Sequence, residues 1–226
     1  MNQKAVVLVS GGLDSCVTAA IAYQDYQLCF LHINYNQRTE EKELISFQEI
    51  AEFYNVKERL ITKLPFFAQI GGSSLTDTNI SIPIYNKNEG NIPNTYVSFR
   101  NAVFLSFAVS WAENIGAKKI FIGAMEQDSS GYPDCTEEFF KKFNQVIKYG
   151  TKPKTDIQII TPIIHLKKYE VVKLGKKLNA PLDKTWSCYK NSECACGICD
   201  SCLLRIKAFK QAGVKDNIPY AIKVLW

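Results

Sequence analysis

The chain has 226 residues, 46% of them hydrophobic and 22% charged, enough to bury about 70–75% of the surface its unfolded form exposes. One main domain with a small appendage is therefore expected, rather than two domains of equal size. The net charge of +5 comes from lysines spread along the chain; it suits an anionic small molecule, equally suits a plain solvated surface, and does not by itself argue for nucleic acid. The apolar run from Ala5 to Val9 is stopped by Gly11-Gly12, far short of a signal sequence or of the ~20 residues a membrane span requires. A cytoplasmic protein with no membrane partner is expected, and in that compartment eight cysteines point to metal or thiol chemistry rather than a disulfide framework.

In chain order, an apolar run over 4–9 meets a glycine turn and a helical pattern over 13–23. A β-rich run over 27–34 leads to a charged helical stretch over 40–54 and a third strand over 57–62. After a long irregular stretch come a helix over 100–115, a strand over 119–124, a helix over 136–149, a strand over 157–161 and a helix over 167–178. Strands alternating with helices of this length imply parallel βαβ units in a covered sheet, an α/β fold. The stretch from Leu64 to Asn94 is rich in Gly, Ser, Asn and Pro. Loops of that length are lids or disordered segments, and Phe66, Phe67, Ile82, Ile84 and Tyr85 could pack this one down.

Ser10-Gly11-Gly12-Leu13-Asp14-Ser15 sits between the first strand and the first helix. Glycines let the backbone turn sharply and approach a ligand closely, and the helix start offers unpaired N–H groups that favour phosphate. Ser10 and Ser15 add hydroxyls. Asp14 is an acid where phosphate would otherwise be repelled, which makes sense if it holds Mg²⁺. The loop is neither a Walker A sequence nor a dinucleotide fingerprint, and an ordinary tight turn with an acid at the helix start remains the plain alternative.

Near the C-terminus, Cys188 precedes Cys196, Cys199 and Cys202, two Cys-x-x-Cys spacings sharing Cys199. Four thiolates make a closed structural zinc site, with Asp200 and Ser201 opening a helix that anchors the last ligand. An iron–sulfur cluster or a redox pair is the alternative. Cys194 is set aside as too close to Cys196, and Cys16, Cys29 and Cys135 are expected to be buried or incidental.

The loop within Leu8-Val9-Ser10-Gly11-Gly12-Leu13-Asp14-Ser15-Cys16-Val17-Thr18 resembles the pyrophosphate loop of the N-type ATP pyrophosphatases. Ser130-Gly131-Tyr132-Pro133-Asp134-Cys135, the Trp186-Ser187-Cys188 tail with its cysteine triplet and Leu203-Leu204-Arg205, and the blocks Tyr35-Asn36-Gln37-Arg38 and Tyr96 to Asn101 together resemble the 7-cyano-7-deazaguanine synthase family. The family usually shows Asp and Gly where this chain has Asn34 and Asn36, and often Pro-Gly where it has Ser98 and Phe99. The resemblance implies a Rossmann-like parallel sheet of the adenine nucleotide alpha-hydrolase type over 1–180, and a small helical zinc-binding appendage over 181–226. It implies ATP with Mg²⁺ held along Leu8 to Thr18, a structural Zn²⁺, and two ATP-dependent adenylations that turn 7-carboxy-7-deazaguanine and ammonia into a nitrile through an amide.

Beside that resemblance, the residues themselves suggest roles. Arg38 and Arg100 are candidates for carboxylate or phosphate contacts, since a guanidinium fork binds both bidentately, although each could equally be a surface ion pair. Asp134 could accept two N–H groups from a guanine-like edge and Tyr132 could stack on the heterocycle; Gly, Pro and Asp also make an ordinary turn. His32 is expected to be packed within a strand, and His165 is uncommitted. A homodimer acting on small molecules without nucleic acid is expected. The competing readings are a tRNA-modifying pyrophosphatase and, from another class, a nonenzymatic zinc module that binds nucleic acid through the helix carrying Arg205, Lys207 and Lys210.

Overall fold

Alternation along the first two strands commits the chain to a two-faced sheet. Val6, Leu8, Cys29, Leu31 and Ile33 pack into one apolar cluster, while Ala5, Val7, Val9, Leu28 and Phe30 pack into another. Both faces of a parallel sheet must be covered, so both sets are apolar. The computed structural model describes residues 3–82, 92–126 and 131–226. Its sheet contains β1 (Lys4–Leu8), β2 (Gln27–Asn34), β3 (Glu58–Lys63), β4 (Lys119–Phe121) and β5 (Gln158–Ile160), all parallel, in the order β3-β2-β1-β4-β5.

The helices are α1 (Leu13–Ala22), α2 (Glu40–Phe53), α3 (Phe66–Ile70), α4 (Arg100–Ile115), α5 (Glu137–Gly150), α6 (Lys168–Lys177) and α7 (Asp200–Ala212). Leu105, Ala108 and Ala112 of α4 and Phe140 and Ile147 of α5 cover one face. Cys16, Ala19 and Ala20 of α1 and Phe47, Ile50 and Ala51 of α2 cover the other. Each fully buried aliphatic or aromatic side chain in these layers contributes about 1.5–3 kcal/mol. No described helix is long and apolar enough to cross a membrane.

The strand order reverses between β1 and β4, and such a switch point opens a crevice at the carboxyl ends of the strands. Here the crevice depends on a glycine. A Cβ on Gly123, just beyond β4, would lie 2.8 Å from the Asp14 carbonyl carbon and 2.9 Å from the Ser15 nitrogen, so only glycine lets the loop after β1 pass.

The C-terminal region packs on this frame through α6 and α1. Leu13 and Val17 of α1, Val171 and Val172 of α6, and Ala208 and Phe209 of α7 share one cluster. Gly175 permits the close approach: a Cβ there would meet Val17 and Leu182 side chains at 2.8 Å.

The described part of the stretch after β3 is more ordered than its composition suggests. Phe66 and Phe67 open the short helix α3; their rings stack at 4.4 Å, and Phe67 packs against Tyr35 and Phe104. Ile82 is buried beside the cysteines, whereas Ile84, Tyr85 and Ser130 lie outside the described residues. His32 is buried between the Val9 carbonyl and Asn34 Oδ1, both 2.8 Å away, and burial lowers its pKa. His165 lies 3.6 Å from Glu137 on the surface.

Candidate active site

Ser10 to Ser15 form a self-supporting turn. Ser15 Oγ donates to the Gly12 carbonyl at 2.9 Å and accepts the Ser10 N–H at 3.2 Å; the Gly12 N–H donates to Ser10 Oγ at 3.2 Å. Gly11 has φ 89°, and a Cβ there would lie 2.5 Å from the Glu43 carbonyl oxygen. Glycine therefore serves both the left-handed turn and the contact with α2. The Gly11 carbonyl accepts the Trp186 N–H at 2.9 Å, which ties the cysteine-bearing tail directly to this loop.

A cavity of about 300 Å³ opens above the turn. Leu8, Val9, Ser10, Gly12, Leu13, Asp14 and Ser15 line it. Cys16, Val17 and Thr18 do not; they are buried in the body of α1, with Cys16 Sγ 3.8 Å from the Pro181 carbonyl. Asp14 receives Lys168 Nζ on both carboxylate oxygens, at 2.7 and 2.5 Å. Lys168 is the first residue of α6, where a positive charge opposes the helix dipole. That misplacement is the one signal in the sequence that could have found it.

Of the two expected arginines, Arg100 lines the cavity. Its Nη1 donates to the Tyr35 hydroxyl at 2.9 Å, and its guanidinium lies 5.4 Å from the Tyr35 ring and 5.7 Å from the Phe104 ring. Arg38 is not among the lining residues. It donates to the carbonyls of Ser74 (2.7 Å), Asp77 (2.9 Å) and Ile80 (2.6 Å). Those bonds hold the segment that carries Leu75, itself a lining residue.

Tyr132 reaches the cavity with its hydroxyl 2.7 Å from Thr95 Oγ1. Asp134 sits behind it. One carboxylate oxygen accepts the Asn101 N–H at 2.9 Å, and its carbonyl accepts Asn101 Nδ2 at 2.9 Å. Asp134 thereby caps the start of α4 and fixes Arg100 beside it.

Three contributors were not legible beforehand. Tyr189 and Ser201, from the tail, face the cavity. So does Glu43 of α2, whose carboxylate accepts Gln37 Nε2 at 3.0 Å and Thr39 Oγ1 at 2.9 Å. Burial pushes its pKa up to about 7, against those two hydrogen bonds.

Adjoining this wall, the sulfurs of Cys188, Cys196, Cys199 and Cys202 lie within 4.8 Å of one another, and all four residues are buried. Zn–S bonds of 2.3 Å in a tetrahedron set sulfurs about 3.8 Å apart, and Cys196 and Cys202 sulfurs are 3.9 Å apart. A multinuclear cluster, which interposes iron and sulfide, needs more room. The N–H groups of Lys190, Asn191 and Cys196 point at Cys188 Sγ from 3.3–3.4 Å, the kind of outer support that thiolate ligands receive. The set fits one metal ion. Cys194 is exposed and outside the group.

Comparison with known proteins decides the family. Residues 4–213 match the family described as Queuosine biosynthesis protein QueC. A curated 7-cyano-7-deazaguanine synthase from Chloroherpeton thalassium is 55% identical over 97% of this chain and 98% of its own length. Another from Nitratiruptor sp. is 56% identical over 96% and 98%. The chain belongs to the 7-cyano-7-deazaguanine synthase family. An NMN synthetase from Francisella tularensis shares the fold at 17% identity, covering 95% of this chain and 78% of that one with a TM-score of 0.50.

Two departures from the usual 7-cyano-7-deazaguanine synthase pattern now have a conformational reading. Asn36 replaces a glycine and has φ 61°; Phe99 replaces another and has φ 56°. Both keep the left-handed turn. Asparagine adopts it readily, while phenylalanine does so at a cost of about 1–2 kcal/mol. The Tyr96 hydroxyl accepts the Phe99 N–H at 3.0 Å, which holds the turn in place.

Proposed function

We propose that the chain converts 7-carboxy-7-deazaguanine and ammonia into 7-cyano-7-deazaguanine at the expense of ATP, in the queuosine pathway. The single observation that carries this reading is the joining of loop and tail. One cavity is walled both by the nucleotide loop at the sheet's switch point and by Trp186, Ser187, Tyr189 and Ser201 of the cysteine tail. A carboxylate becomes displaceable once AMP is transferred to its oxygen; ammonia then gives an amide, and a second adenylation on the amide oxygen permits loss of AMP to leave the nitrile.

The protein contributes position and charge. The N–H groups of the Ser10–Ser15 turn and the start of α1 receive phosphate. Asp14 offers the oxygen donor suited to Mg²⁺, which when bound neutralises phosphate charge, and Lys168 stands ready for the departing pyrophosphate. Arg100 orients the substrate carboxylate or the α-phosphate, and Tyr132 faces the heterocycle. Asp134 and Arg38 act behind these groups, Asp134 by capping α4 and Arg38 by fixing Leu75. The chain works as an ATP-binding unit over 1–180 with a metal-stapled unit over 181–226. It acts in the cytoplasm on small molecules, without nucleic acid, and as a homodimer. Arg205, which a nucleic-acid reading would place on a surface, is 1% exposed.

Mass spectrometry after incubation with ATP, Mg²⁺, ammonium and 7-carboxy-7-deazaguanine should show the nitrile, with AMP and pyrophosphate. No ATP-dependent change in the deazapurine mass would overturn the proposal.

The four thiolates would hold Zn²⁺ as a structural clamp. Elemental analysis of freshly purified protein should give about one zinc per chain. Cys202→Ala should lose the metal and lower thermal stability before it lowers turnover per folded molecule. Iron with visible absorbance, or no metal at all, would sink the assignment.

A further inference from the structure

Among the described residues, four charged side chains line the cavity: Asp14, Lys168, Arg100 and Glu43. Asp14 and Lys168 neutralise each other, and Arg100 is seated against two aromatic rings. Glu43 is different. Among the described residues it has no cationic partner within 4 Å. Its hydrogen-bond donors, Gln37 and Thr39, are both neutral.

That neutral cradle is oriented rather than accidental. Gln37 Oε1 accepts the Tyr35 N–H at 2.8 Å, so its amide NH₂ is forced toward Glu43. Glu43 lies in the first turn of α2, with its backbone carbonyl against Gly11 of the nucleotide loop. The side chain lines the same cavity as Ser10, Gly12, Asp14 and Arg100, so a cation held on its carboxylate would share the cavity with a phosphate-activated carbon.

The reaction read from this site needs such a group. Near neutral pH ammonia exists chiefly as ammonium, which has no lone pair and cannot attack carbon. A desolvated carboxylate attracts a small cation strongly and can then take its proton. We propose that Glu43 binds the ammonium ion and accepts its proton, delivering ammonia to the adenylated carboxyl carbon; this rests on the function proposed above. Ammonium gives one proton to the Glu43 carboxylate. The nitrogen lone pair forms the C–N bond, the C–O bond to AMP breaks with its electron pair on the AMP phosphate, and the further N–H proton shed as the amide forms passes to water.

Burial holds the Glu43 pKa near 7, with Arg100 lowering it and Glu40 raising it among the charged neighbours. An acceptor matched to the working pH is the efficient one. Its base form is present above about 7 and is lost as pH falls through that value.

The test uses the metal-loaded full chain and Glu43→Gln, with three nitrogen steps compared. With the carboxylate substrate and ammonium, the variant should lose about 100-fold in amide formation, within the span for a general base. With hydroxylamine, which is uncharged near neutral pH, hydroxamate formation should stay within about threefold of the parent. Conversion of the preformed deazapurine amide to nitrile, which consumes no ammonia, should also stay within about threefold. Glu43→Asp should restore part of the ammonium step, and supplies the comparison if the glutamine variant folds poorly. Equal losses in all three steps, or a matching rise in KM for ATP, would overturn the assignment and make Glu43 part of the nucleotide pocket. No loss in any step would overturn it as well. Failure of the parent protein to make amide or nitrile would instead remove the function on which the assignment rests.

Discussion

Asp14→Asn should fold as the parent does and lose about 10²–10³ in ATP-dependent turnover, the effect of removing one preorganised group aimed at developing charge. The side chain keeps its size and its place in the first turn of α1. What disappears is the charge that faces Lys168 at 2.7 and 2.5 Å. The ion pair is only partly buried, its side chains 28% and 25% exposed, and contributes about 1 kcal/mol; an acid in the first helical turn adds about 0.3–1 kcal/mol, so the melting temperature should fall by only a few degrees. Catalysis should suffer far more. An amide oxygen is a weak donor for Mg²⁺, and Lys168 would no longer be neutralised before ATP arrives. Pyrophosphate release at saturating ATP is the measurement. Turnover within threefold of the parent would remove Asp14 from the mechanism, and a collapse in melting temperature would reassign it to the fold.

Legibility followed distance along the chain. The glycine loop, the four cysteines and eleven of the strands and helices were readable because each announces itself within a short window: a glycine turn between strand and helix, a Cys-x-x-Cys repeat, a period of two or 3.6. Helix α3 was not, because its five residues are too few to show a period and sit in a glycine- and serine-rich stretch. The two arginines looked alike in sequence and diverge in the fold. Arg100 opens a helix whose start is capped by Asp134 from a distant loop, whereas Arg38 finds three carbonyls that no sequence spacing predicts. Glu43 was hidden for a different reason. Glu40, Glu41 and Glu43 all fall in the first turn of α2, where acids favour the helix dipole anyway, and only the cavity tells which one matters.

Arg205→Ala should destabilise the metal-loaded protein by about 3–5 kcal/mol, the range for stripping one partner from a buried ion pair. Arg205 and Asp216 side chains are each 1% exposed and meet at 2.6 Å. The guanidinium also donates to Thr185 Oγ1 at 2.8 Å, Ser187 Oγ at 3.2 Å and the Leu182 carbonyl at 3.1 Å. Its removal leaves Asp216 a buried anion supported only by neutral donors, the Tyr220 hydroxyl at 2.8 Å and the Ile218 N–H at 3.4 Å. Arg205→Lys should recover little, since a single ammonium cannot reach partners spread around a planar fork. Arg205→Met with Asp216→Leu should recover more than either single change, because no unpaired charge remains. Denaturant unfolding of the metal-saturated chain measures these variants against the parent, and a loss below about 1 kcal/mol for Arg205→Ala would show the pair to be dispensable. The same variant should also raise KM for ATP, because the segment that Arg205 holds, Leu182 to Ser187, carries the Trp186 N–H bonded to the Gly11 carbonyl. The Ser10–Ser15 turn is thus held from behind by an arginine on α7.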